Sequence, residues 1–150
     1  MKIVIISVGK LSSDIASLCS KYQKMISSRL EYIELPHSKK SNIKEIIVEE
    51  TEFIRKKIKK NSLVILLDRL GQQYSSEEFA NIIKESLENN QDIDFIIGGS
   101  HGVDNSIIGT MVDYKLCISM MTFPHQIVKL LLLEQIYRAQ TIIQNHPYHK

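Results

Sequence analysis

The feature that most constrains this chain is an alternation repeated five times. A short run dense in Ile, Val and Leu is followed each time by a longer stretch with apolar residues at helical spacing. The short runs fall at residues 3–8, 30–35, 63–68, 93–98 and 115–119. Most lack the strict in-out alternation of a half-exposed strand, so they suit strands covered on both faces. A chain that runs β-α five times over reads as α/β: a mostly parallel sheet with helices on both faces. No internal repeat or long linker divides it, and residues 1–150 read as a single domain. At 150 residues, 43% hydrophobic and 24% charged, the chain is large and apolar enough to build a sizeable core.

Helix starts are marked by capping residues. Ser13 or Asp14 would cap a first helix running to about residue 28, and a second spans about 43–60. Ser75 and Glu78 stand at capping-box spacing before a third, a short fourth follows Asp104, and the last covers about 125–144. The stretch 37–42, after Pro36, reads as a loop. Residues 127–133 of the last helix are apolar on nearly all sides. Packing on one sheet face needs only a stripe, so the excess points to a second partner, and a homodimer interface supplies one.

Several function classes drop out. A dinucleotide-binding domain carries GxGxxG after an early strand, and here that turn offers only Gly9. Asp68 ends the third strand as in phosphoacceptor regulators, but Gly9-Lys10-Leu11 supplies none of the acidic residues their divalent ion needs. His146 and His149 flank Pro147, which forbids a regular helical pairing, and no cysteine or acidic ligand stands near, so no metal is expected. Cys19 and Cys117 form no CxxC pair and fit small buried residues in a reducing cytoplasm. The most apolar run is broken by Lys129 and ended by Glu134, so no membrane span is expected. A net charge of +2 does not demand a nucleic-acid partner, and the basic run 55–60 reads first as a solvated helix end.

In open α/β sheets ligands bind outside the carboxyl ends of the strands. The residues there are Asp68-Arg69-Leu70-Gly71 after the third run, Gly98-Gly99-Ser100-His101-Gly102 after the fourth, and Met120 to Gln126 after the fifth. Gly98 and Gly99, lacking Cβ atoms, let backbone approach a ligand or turn tightly.

The run Ile118-Ser119-Met120-Met121-Thr122-Phe123-Pro124-His125-Gln126 resembles the signature of the RlmH family, the ribosomal RNA large subunit methyltransferases that modify a pseudouridine at N3. So do Ile97-Gly98-Gly99, Leu67-Asp68, and the tail His146-Pro147-Tyr148-His149-Lys150. The likeness runs from Met1-Lys2-Ile3 to the last residue. It implies a SPOUT-type fold with a trefoil knot near the C-terminus, a homodimer, S-adenosylmethionine as methyl donor, and large-subunit rRNA as substrate. Carried over residue by residue, it puts cofactor contacts at Leu67, Gly98, Ile118, Ser119, Met120, Met121, Thr122 and Phe123. One departure is Gln72, where many relatives carry a lysine.

On the substrate side the candidates are Arg138, Tyr148 and His149. Arg138 suits a phosphate or an imide anion, or alternatively an i,i+4 pair with Glu134. His149 is of the residue type that serves as a base near neutrality, and Tyr148 of the type that stacks on one. A disordered terminus is the alternative for both. A second function class stays open at this point: a non-catalytic RNA- or nucleotide-binding protein on the same scaffold.

Overall fold

Five strands pair side by side in the order β2-β1-β4-β3-β5, and all four pairings are parallel. They are β1 (Lys2–Val8), β2 (Arg29–Leu35), β3 (Leu63–Gln72), β4 (Ile93–Ile97) and β5 (Tyr114–Leu116). The helices between and after them are α1 (Ser13–Met25), α2 (Ile43–Arg55), α3 (Ser76–Glu88), α4 (Asn105–Ile108) and α5 (His125–Ile143). The computed structural model describes residues 1–149; Lys150, the end of the tail motif, lies outside the described residues.

Strand composition follows from burial on two sides. In β1, Ile3 and Ile5 face a core shared with α1, α3 and α5, while Val4, Ile6 and Val8 face one shared with α2 and α4. Each such Ile or Val, withdrawn almost wholly from water, contributes about 1.5–3 kcal/mol against the ordering entropy. The helices therefore cover both faces, as the alternation predicts. No helix among the described residues is long and apolar enough to cross a membrane.

Local starts match the capping signals. Ser75 and Glu78 close a reciprocal capping box on α3, and the Asp104 carboxylate caps α4. On α2 the Asn42 side chain accepts from the N–H groups of Lys44 and Glu45. For α1 the cap position is Ser12, one residue before the expected serine.

Four boundaries differ from expectation, each for a tertiary reason. α1 stops at Met25 instead of about residue 28, where Gln140 on α5 takes the Ser27 N–H at 2.9 Å and donates to the Ser28 hydroxyl at 2.8 Å. α2 stops at Arg55 instead of running to Lys60. The buried carboxylate of Asp94 on β4 takes the Lys59 N–H at 2.8 Å and the Ser62 hydroxyl at 2.7 Å, pulling the chain out of the helix. β3 continues past Asp68 to Gln72 because the Gln72 carbonyl accepts the Cys117 N–H at 2.8 Å after an irregularity beyond Leu67. β5 covers only Tyr114–Leu116, and residues 118–123 run as irregular chain, ready to face a cavity.

Candidate active site

The carboxyl ends of β3, β4 and β5 open into a cleft of about 530 Å³, within the usual range of small-molecule sites. Its walls come from Leu67–Leu70, from Ile97–Val103, and from the chain between β5 and α5; His125 and Val128 of the first turn of α5 complete it. Of the eight residues expected to hold a cofactor, seven line it: Leu67, Gly98, Ile118, Ser119, Met121, Thr122 and Phe123. Met120 is not among its lining residues; it and its lining neighbour Met121 are both largely exposed, at 73% and 72%. The wall is largely apolar and is interrupted by a few polar groups, among them Ser119, Thr122, Arg69, His101 and His125.

Glycines set the shape of two walls. At Gly98 an added Cβ would come within 2.9 Å of Val103 Cγ1 and 3.2 Å of the Gly102 backbone. The absent side chain thus lets the 99–102 turn fold back over β4, closed by a Gly102 N–H to Gly99 carbonyl bond of 3.0 Å. Gly71 is required for a different contact: its Cα rests on the backbone carbonyl of Lys115, where no side chain fits. That contact, with Cys117 Sγ donating to the Arg69 carbonyl at 3.2 Å, ties the β3 wall to the β5 wall.

The three substrate-side candidates gather elsewhere. Arg138 sits on α5 thirteen residues beyond His125, about 20 Å along the helix at 1.5 Å per residue. Its Nη2 meets Glu134 Oε1 at 2.5 Å, the i,i+4 pair, and its guanidinium lies 4.9 Å from the centroid of the Tyr148 ring. The tail is docked: Tyr148 packs edge-on against Tyr137 at 4.7 Å and its hydroxyl donates to Glu134 at 3.1 Å, while His149 Nε2 lies 2.8 Å from Glu77 Oε1 on α3. Electrostatics follow. The Glu134 carboxylate raises Arg138 further above its ordinary value, burial and then Glu134 push the Tyr148 phenol up to about 12, and the His149 hydrogen bond holds Glu77 below the usual carboxylate range. Arg138, Tyr148 and His149 thus form one cluster, and it does not border the cleft.

One structural group was not foreseen. Lys129, on the apolar first half of α5, is only 2% exposed. Its ammonium meets Glu34 at 2.9 Å and lies 4.6 Å from the Tyr32 ring centroid, beside a second, smaller cavity. A lysine interrupting a leucine run is the only local signal, and its partner is 95 residues away.

The chain has close relatives over its whole length. Residues 1–149 match the family model described as "Predicted SPOUT methyltransferase". The chain is 46% identical to ribosomal RNA large subunit methyltransferase H of Alkaliphilus oremlandii and 43% identical to ribosomal RNA large subunit methyltransferase H 1 of Clostridium perfringens, in each case over all of both chains. Among solved structures, a Bacillus anthracis protein presented as a candidate RNA methyltransferase shares the fold, with a TM-score of 0.50 at 13% identity over 97% of this chain and 96% of that one. A strand order, a cleft built from three strand ends and a full-length match agree: the chain belongs to the SPOUT methyltransferases, within the ribosomal RNA large subunit methyltransferase H family.

Proposed function

We propose that the protein transfers a methyl group from S-adenosylmethionine to N3 of a pseudouridine in large-subunit ribosomal RNA. The observation that carries this is the cleft. Residues inferred from the family signature converge on it from three separate segments, and its volume and mostly apolar wall suit a nucleoside-sized ligand. The relatives' names supply the substrate class.

The residues present fit such a cofactor. Leu67, Ile118 and Phe123 offer apolar surface to a planar base, and the backbone near Gly98 and Ser119 to Thr122 offers hydrogen-bonding groups without intruding side chains. S-adenosylmethionine supplies an already activated methyl on its sulfonium. The chain's own tasks are then to hold the acceptor in line and to receive the proton of the ring N–H. Arg138, Tyr148 and His149 are assigned to the RNA side. Tyr148 offers an aromatic face, Arg138 a fixed cation, and His149 an imidazole to accept the proton.

Because the cluster and the cleft lie far apart along α5, the same reading requires a homodimer in which the tail of one protomer serves the cleft of the other. The half-buried Ile127, Val128, Leu130 and Leu131 support this by leaving apolar surface on α5 uncovered. A trefoil knot closed by α5, one methyltransferase domain over residues 1–150, and a cytoplasmic location complete the reading.

Deleting residues 146–150 tests it. Affinity for S-adenosylmethionine by calorimetry should stay within about threefold, under roughly 1 kcal/mol. Tritium transfer from labelled donor to ribosomes should fall at least about a hundredfold, the scale of lost acid–base groups. Full activity in the truncated protein would remove the tail from the mechanism. Sedimentation equilibrium should return twice the 17.3 kDa chain mass, and a monomer at micromolar concentration would overturn the shared site.

A further inference from the structure

A second cavity, of about 350 Å³, lies between α1, β2 and α5, apart from the cleft. Among the described residues none lines both: Val128 faces the cleft, and Lys129, the next residue of α5, faces this one. Leu11 and Ala16 give its wall apolar surface, and Cys19, Tyr32, Glu34 and Lys129 give it polar groups. The methyl-transfer reading uses none of these side chains.

Two donors meet at this cavity. The buried Lys129 ammonium lies over the Tyr32 ring, 4.6 Å from its centroid. The hydroxyl on that same ring is buried and has no hydrogen-bond partner in the protein. Burial pushes the Tyr32 phenol up, so the group stays an O–H donor. The one acid on the wall is Glu34, 2.9 Å from the ammonium, and it stands at the solvent side with 33% of its side chain exposed. An unpaired buried donor is costly, and a buried ion pair roughly breaks even against apolar side chains, so stability explains neither the hydroxyl nor the lysine.

We propose that this cavity is a second ligand site and that it takes a small aliphatic carboxylate. One ligand oxygen accepts from the Lys129 ammonium and the other from the Tyr32 hydroxyl, while the alkyl chain lies against Leu11 and Ala16. Because the ammonium sits over the ring that carries the hydroxyl, a single carboxylate reaches both. Glu34 gives up its place on the ammonium and turns to water. One carboxylate replaces another on the same cation, so the buried charge stays balanced. A neutral ligand would leave Glu34 in place and would gain only the hydroxyl.

Butyrate is the probe, titrated into the protein at constant ionic strength with sodium chloride as the balance. The methyl signals of Leu11 and Ala16 are followed by NMR. They should shift saturably, with a dissociation constant on the order of a millimolar for so small a ligand. Butyramide, which has the same shape without the charge, should bind at least about tenfold more weakly. Lys129→Met should lose at least about tenfold in butyrate affinity and Tyr32→Phe about fivefold. Glu34→Gln should gain about tenfold, because the competing carboxylate is gone. Thermal midpoints check that each variant folds, and Tyr32→Phe, the mildest change, carries the test if Lys129→Met does not. No saturation at about a hundredfold above the expected constant means a water-filled cavity only and overturns the proposal. Equal binding of butyramide overturns it too, as does parental affinity in Lys129→Met or Tyr32→Phe. Weaker binding by Glu34→Gln would make Glu34 part of the site and would refute the exchange of carboxylates.

Discussion

The buried ion pair between Lys129 and Glu34 makes an asymmetric prediction. Lys129 is 2% exposed, whereas the Glu34 side chain keeps 33% of its surface in water. Removing one partner of a fully buried pair costs about 3–5 kcal/mol, because the other charge is left stranded. In Glu34→Ala the stranded group is the ammonium, with only the Tyr32 ring and Ser7 Oγ at 3.5 Å to face it. Water entering where Glu34 stood relieves part of the cost, leaving about 2 kcal/mol. In Lys129→Met the apolar stem is kept, the desolvated charge is gone, and Glu34 turns to solvent; the change should stay within about 1 kcal/mol of the parent. For a chain of this size 1 kcal/mol moves the thermal midpoint by about 2–4 °C, so Glu34→Ala should melt about 4–8 °C lower and Lys129→Met within about 4 °C. Circular dichroism melts at one fixed protein concentration, to hold any assembly constant, measure both. If Lys129→Met costs as much as Glu34→Ala, the pair is a net stabiliser and the desolvation reasoning is wrong.

Two further outcomes follow from contacts described above. Gly71→Ala pushes a methyl group into the Lys115 carbonyl, which cannot withdraw without breaking the β3–β5 pairing; about 1–3 kcal/mol of stability should be lost in urea titration, with weaker cofactor binding. In the tail, His149 holds Glu77 below its ordinary value of 4.5, so the contribution of that bond is fully present above 4.5 and is lost as pH falls through the lowered value. Acidification should therefore free the Tyr148 resonances in NMR spectra, and Glu77→Gln should abolish that acid-dependent step; a tail that stays docked through pH 2–3 would contradict the linkage, roughly two units below the ordinary carboxylate range.

Legibility tracked the range of the forces involved. The Ser75–Glu78 box and the Asp104 cap are contacts within three residues and could be read directly. The strands could be read because burial on both faces writes itself into composition, as in Ile3 to Val8. The end of α2 could not: Lys56 to Lys60 are acceptable helix formers, and what stops them is Asp94, 35 residues on from Lys59. Seven of the cleft's lining residues were accessible through a signature and the rule of strand ends, but which of Met120 and Met121 faces the cleft depends on the local chain path. Arg138 showed its Glu134 partner in the i,i+4 spacing, while the docking of His149 on Glu77, 72 residues apart, left no local trace.

The strand order has a consequence for how the chain is made. β1 ends up between β2 and β4, yet Ile3 pairs with Ile93, a residue that emerges from synthesis long after β2. Closing the longer loop costs only about 1 kcal/mol more than closing the β1–β2 loop, so the delay is temporal more than energetic. Until β4 arrives, the Ile- and Val-rich β1 has one edge without backbone partners, and such an edge templates association between nascent chains. Refolding should accordingly be slow and sensitive to protein concentration, and substitutions in β4 should retard it more than substitutions in β5, which joins at the rim once the centre has closed.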